Sequence, residues 1–244
     1  MLEFYRMTMP SKGALQKVLG ILCGVMLNVM LFTFVFETFN ILPLLSFLLF
    51  AALFLTIFIS LLYVKLEKPF EVLGYVVLSI LYIALPFALM SIWVFSSSDL
   101  VFEGAKYSGL TLIAYFIMLW ANDVGAYCFG ITIGRIGNHK LFPRHSPKKT
   151  WEGFVGGVLA AMLAGYLLSI WMFDGNNKLL WIGIGLIISV FGTLGDLLES
   201  MLKRSVGVKD SGSIMPGHGG ILDRFDGVLL SFIPATLYML IAKL

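Results

Sequence analysis

Seven apolar runs divide the chain, each about as long as a bilayer is thick. They lie near residues 14–36, 41–64, 70–95, 108–134, 153–173, 179–202 and 226–244. A hydrocarbon core about 30 Å thick needs roughly 20 apolar residues per helix. The pattern therefore predicts an all-α fold, a polytopic transmembrane helical bundle of about seven membrane helices. Re-entrant pieces inside the longer runs would widen the range to seven to nine. Pro43 falls near a helix start, whereas Pro86 and Pro234 fall inside helices. Prolines are tolerated there because neighbouring groups satisfy the freed backbone atoms. The expected organisation is one integral domain, with N-terminal membrane helices over 1–107 and a chemistry-bearing membrane region with polar loops over 108–244.

The lysines and arginines orient the bundle. With the N-terminus in the cytoplasm, 14 of the 17 fall on the cytoplasmic side, and only Lys106, Lys178 and Lys243 fall outside. This is the positive-inside pattern, and it predicts residence in the inner or plasma membrane. Composition agrees: 59% of residues are hydrophobic and 13% charged, against roughly 25% charged in soluble domains. Arg6, Lys12 and Lys17 precede the first apolar run as in a signal peptide, but no small-residue cleavage site follows, so a retained first helix is expected. Cys23 and Cys128 lie in apolar stretches without metal-type spacing and read as packing residues. No nucleic-acid partner is expected, and a homodimer is left open.

Carboxylates at membrane depth carry the chemical argument. Asp123 and Asp196 sit within apolar runs, where an ionised Asp costs roughly 3 kcal/mol or more to insert. Asp196, Glu199, Ser200 and Lys203 recur at i, i+3, i+4 and i+7 and share one helical face. The loop that follows holds Lys203, Arg204, Lys209, Arg224, the glycines Gly217, Gly219 and Gly220, His218, and the acids Asp223 and Asp226. Such glycines permit positive φ and close backbone approach, and turns of this kind make anion-binding concavities. Carboxylates alone repel phosphate. With Mg²⁺, which takes one or two carboxylates plus phosphate oxygens, they attract it. Asp196, Asp223 and Asp226, with Asp123 as a further candidate, form a set for one or two divalent ions. A second loop carries Lys148 and Lys149, two crossings away and so on the same face, suited to phosphate binding. His139 and His145 show no partner in the sequence and read as solvated loop residues.

The stretch from Ser200 to Asp226, 27 consecutive positions reading Ser-x-x-Lys-Arg, Lys209-Asp210-x-Gly212 and Pro216-Gly-His-Gly-Gly-x-x-Asp-Arg-x-Asp226, resembles the signature of CDP-diacylglycerol synthases (phosphatidate cytidylyltransferases). Ser146–Gly153 and Asn122–Tyr127 are also similar to family segments. Met215 stands where Leu or Ile is commoner. The resemblance spans roughly residues 110–244. It implies transfer of the cytidylyl group of CTP to phosphatidate, with Mg²⁺ as cofactor. In that reading Asp196, Asp223, Asp226, Lys203 and Arg204 are catalytic. Lys148, Lys149, Ser200, Lys209, Gly217, His218, Gly219, Gly220 and Arg224 bind substrate at the cytoplasmic face. The nearest rival is a CTP-dependent kinase acting on a polyprenol or phytol. A cation transporter built on Asp123 and Asp196 is the rival from another class.

Overall fold

The computed structural model describes residues 1–9, 13–36, 41–95, 109–137, 139–143, 146–212, 214 and 219–242. Gly217, His218, Arg144 and His145 lie outside the described residues. Among those described, seven helices are long and apolar enough to cross a membrane. Together with the apolar side chains they leave exposed, such as Leu48, Phe58, Leu159 and Leu163, they make this an integral membrane protein. The chain forms two compact units, one of Met1–Tyr107 with Asp210–Asp223, the other of Ser108–Lys209 with Arg224–Leu244.

The first unit begins with a short helix that the hydropathy pattern does not announce, α1 (Leu2–Thr8). Phe4 and Tyr5 on it are fully buried. The Tyr5 hydroxyl and Ser79 Oγ lie 2.5 Å apart, which satisfies two polar groups that apolar surroundings would otherwise penalise. Two crossings follow, α2 (Ala14–Phe36) and α3 (Leu42–Tyr63). They are tied by Gln16 Nε2 donating to Ser60 Oγ at 3.1 Å and by Thr33 and Ser46 at 2.9 Å. Pro43 sits in the first turn of α3, where its missing N–H costs nothing. The third crossing is interrupted. α4 (Pro69–Ser79) passes through a π-helical turn at Ile80–Ala84 into α5 (Leu85–Phe95). Pro86 explains the turn: it has no N–H for the carbonyl four residues back and its ring crowds that carbonyl, so the helix widens just before it.

The second unit holds α6 (Leu110–Ile131), the five-residue α7 (Ile133–Gly137), β1 (Lys140–Phe142), β2 (Ser146–Thr150), α8 (Trp151–Met172), α9 (Lys178–Ser205) and, from Arg224 on, α10 (Leu222–Ile241). The β1–β2 pair is an antiparallel hairpin with Lys140 opposite Thr150 and Phe142 opposite Ser146. It is a small departure from an all-helical expectation. Its last residue caps α8: Thr150 Oγ1 accepts the Gly153 N–H at 3.2 Å, as N-cap threonines do.

Small residues set the helix spacing in this unit, as expected where lipid removes the hydrophobic drive between helices. Gly125 on α6 lies against Gly156 and Ala160 of α8, and Gly157 lies against Asn122 of α6. Gly165 and Gly185 do the same between α8 and α9, against Trp181 and Ala161. A Cβ on Gly125 would stand 2.7 Å from the Gly156 carbonyl oxygen. Because that obstacle is backbone, Gly125→Ala is expected to destabilise the unit by about 1–3 kcal/mol, read as a lowered melting temperature of the detergent-solubilised protein.

The cysteines divide. Cys23 is buried as expected, but Cys128 is exposed on α6 and is not a packing residue. The last crossing starts at Leu222 rather than near 226, because its charged first turn lowers local hydropathy below that of a membrane run.

Candidate active site

Glycine also controls the approach of α9 to α10. A Cβ at Gly195 would run into the Asp226 carbonyl, and Gly192 lies beside Gly227. With no side chains between them, the two backbones come close, and the residues that flank these glycines meet. Asp196, Glu199 and Asp226 each offer one carboxylate oxygen, and these oxygens all lie within 4.8 Å of one another. Glu199 is fully buried while Asp196 and Asp226 are half-buried. Asp226 Oδ1 accepts its own helix's Gly227 N–H at 2.6 Å, which fixes that carboxylate at the helix start.

Cations and a hydroxyl complete the cluster. Lys149, from β2, forms an ion pair with Asp196 Oδ2. Lys203 Nζ lies 3.4 Å from Glu199 Oε2, one turn along α9. Ser200 Oγ donates to Asp196 Oδ1 at 3.3 Å. The one-face spacing read from the sequence is thus realised as two i, i+4 contacts. Asp123, exposed on α6 and bonded by Asn122 Nδ2 at 3.4 Å, lies within electrostatic reach of Lys149, Asp196 and Asp226. A hard all-oxygen donor set of this kind suits a divalent cation such as Mg²⁺, Ca²⁺ or Mn²⁺. The sequence placed Glu199 on the stripe but not among the ligands. The signal was its spacing of three from Asp196.

Asp223 has a different setting from Asp226, three residues on. Its carboxylate accepts the Ser211 N–H, at 3.2 Å to Oδ1 and 3.0 Å to Oδ2, and the Gly220 N–H at 2.8 Å to Oδ2. It reaches back across the start of α10 and gathers the loop stem there. Gly219 has φ +81°, a conformation that favours glycine. Gly220 is buried against Ser211 and Glu3. The remaining bases are exposed: Lys148 on β2, Arg204 in the last turn of α9, Lys209 after it and Arg224 in the first turn of α10. Arg204 Nη1 donates to the Val208 carbonyl at 3.5 Å, and its position favours the negative end of the α9 dipole.

One expectation needs correcting. His139 has a partner: its Nδ1 lies 2.6 Å from Glu152 Oε1. The contact ties the hairpin that carries Lys148 and Lys149 to the first turn of α8. A 13-residue separation hid it in the sequence.

These features define a class of protein: an integral membrane helical bundle whose crossings gather an acidic cluster able to hold a divalent cation, fringed by lysines. The model of the Cytidylyltransferase family matches residues 1–242, and the chain belongs to that family. Curated relatives agree. A protein named phosphatidate cytidylyltransferase from Staphylococcus aureus (strain COL) is 43% identical over 168 residues. Proteins of the same name from Staphylococcus haemolyticus and Staphylococcus epidermidis are 41% and 42% identical over 168 residues. Each match takes in 67% of this chain and spans 64% of the relative's length.

Proposed function

We propose that this protein transfers the cytidylyl group of CTP to phosphatidate, giving CDP-diacylglycerol and pyrophosphate, at the cytoplasmic face of the membrane. The observation that carries the reading is the convergence of Asp196, Glu199 and Asp226 within 4.8 Å, in a family whose relatives bear that activity in their names.

In the reaction, a phosphate oxygen of phosphatidate attacks the α-phosphorus of CTP. A new P–O bond forms, the α–β anhydride bond breaks, and pyrophosphate leaves with the electron pair. The nucleophile is already an anion at neutral pH, so no strong general base is required. The work is positioning and charge neutralisation. A divalent cation held by Asp196, Glu199 and Asp226, with Mg²⁺ the expected ion, supplies Lewis-acid neutralisation of phosphate oxygens. Lys149 and Lys203, which face Asp196 and Glu199, are assigned to the substrate phosphates. Arg204, Lys148, Lys209 and Arg224 supply further positive charge, and Ser200 holds Asp196 in place. Gly217, His218, Gly219 and Gly220 are assigned to phosphate binding by the loop. Asp123 is a further cation ligand in this proposal, and the Asp223 carboxylate acts through the loop stems whose Ser211 and Gly220 N–H groups it holds.

The test is purified protein with CTP and phosphatidate in mixed micelles, with and without Mg²⁺. CDP-lipid and stoichiometric pyrophosphate that vanish on chelation are the expected result. Release of CDP with a phosphorylated lipid would make the protein a lipid kinase instead. Undiminished turnover in EDTA would remove the cation from the proposal.

A further inference from the structure

Glu3 belongs to no motif in the sequence. It sits on α1, seven residues that lie outside every membrane span, and it is buried. A buried carboxylate without donors is costly, so its partners matter. Glu3 Oε1 accepts the Ile221 N–H at 3.0 Å. Glu3 Oε2 accepts the Leu222 N–H at 2.8 Å and the Ser211 hydroxyl at 3.3 Å. These groups come from both stems of the glycine-rich loop, and two of them are N–H groups at the start of α10. There a negative charge is favoured by the helix dipole and by donors the helix cannot satisfy itself.

The glycines fit around this carboxylate. A Cβ on Gly212 would stand 2.9 Å from Glu3 Oε1, and one on Gly220 would stand 2.7 Å from Glu3 Oε2. Two of the loop's glycines therefore leave room for Glu3, whatever else they admit. Asp223 braces the same stems from within the loop's own helix. Glu3 does so from a segment 208 to 219 residues away. Four residues beyond Leu222, the same helix presents Asp226.

We infer that Glu3 is a positioning residue: it clamps the two stems of the 211–222 loop and sets the register of the α10 start for the nucleotide-transfer reaction. The inference rests on the proposed function for its kinetic arm and on geometry alone for its structural arm. Glu3→Gln keeps size and polarity but replaces one accepting oxygen with an amide that points a donor at donors. Gly212→Ala leaves Glu3 in place and pushes on its carboxylate.

Both variants of the full chain are compared with the wild type by amide hydrogen exchange and by steady-state kinetics normalised to folded protein. Exchange at Ile221 and Leu222 is expected to accelerate at least about tenfold. The kcat/KM for CTP is expected to fall about 10- to 100-fold, as for a displaced positioning element, with KM for phosphatidate within about twofold of wild type by the same argument. Tyr5→Phe, which removes the α1 contact to Ser79 without touching Glu3, is expected to lower stability and leave the CTP kinetics unchanged. Wild-type exchange at both amides in Glu3→Gln overturns the clamp. So does a lower folded fraction with unchanged kinetics per folded molecule, which is what a purely stabilising role predicts. If Glu3→Gln does not fold, Gly212→Ala decides by the same readings. If the wild type itself transfers no cytidylyl group, the proposed function falls, and exchange at the two amides still decides the role of Glu3.

Discussion

Asp226→Asn is expected to lower cytidylyl transfer by about 10³-fold or more, and Asp196→Asn to do the same, with the fold retained. Loss of a metal-holding carboxylate removes several kcal/mol of charge stabilisation, and about 4 kcal/mol corresponds to about 10³ in rate. The fold survives because the substitutions keep the local hydrogen bonds. An Asn carbonyl at 226 can still accept the Gly227 N–H, and one at 196 can still accept the Ser200 hydroxyl. The measurement is incorporation of label from CTP into lipid over a range of Mg²⁺ concentrations, with thermal melting as the folding control. Full turnover in both variants at wild-type Mg²⁺ would sink the cation assignment. Asp223→Asn makes an informative companion. If Asp223 acts by holding Ser211 and Gly220, its loss lowers the rate at every Mg²⁺ concentration and leaves the Mg²⁺ requirement where it was.

The second large effect concerns stability. Glu199 is fully buried, and Lys203 faces it from the next turn, itself largely covered. Taking away one member of a buried ion pair costs about 3–5 kcal/mol, because the remaining charge stays where water cannot reach it. Lys203→Met is therefore expected to lower the unfolding temperature markedly, and Glu199→Gln in the same chain to restore most of it. Activity should not follow stability. The double variant lacks both a cluster carboxylate and a base, so it should melt near the wild type and remain inactive. A double variant as unstable as the single one would show that the pair is not what holds this turn.

The membrane crossings were legible because each is a single property, apolar length, summed over some twenty residues. Observed spans such as Ala14–Val35, Leu42–Tyr63 and Trp151–Met172 lie within two residues of the runs read from the sequence. The Asp196–Lys203 stripe was legible for a similar reason, since helical spacing alone puts those residues on one face. What escaped the sequence depends on distant partners. Helix α1 is too short to show a period, and its importance lies in Glu3 meeting Ser211, Ile221 and Leu222. The hairpin strands are three and five residues long, in a stretch whose prolines and lysines read as loop. His139 gave no sign of Glu152. Asp223 and Asp226, equivalent by spacing, were separated only by the groups around them: backbone N–H donors gathered by the first, other carboxylates beside the second.

The Glu3 contacts also bear on how the chain is made. Its acceptors leave the ribosome well before their donors, since Leu222 is synthesised 219 residues later. At translation rates of about 5–20 residues per second, that interval is roughly 10–45 seconds. Throughout it, the carboxylate of α1 must be kept hydrated or shielded while six hydrophobic segments are threaded into the bilayer. The α1 residues are thus made long before their native partners, and premature burial of α1 becomes a specific hazard of insertion.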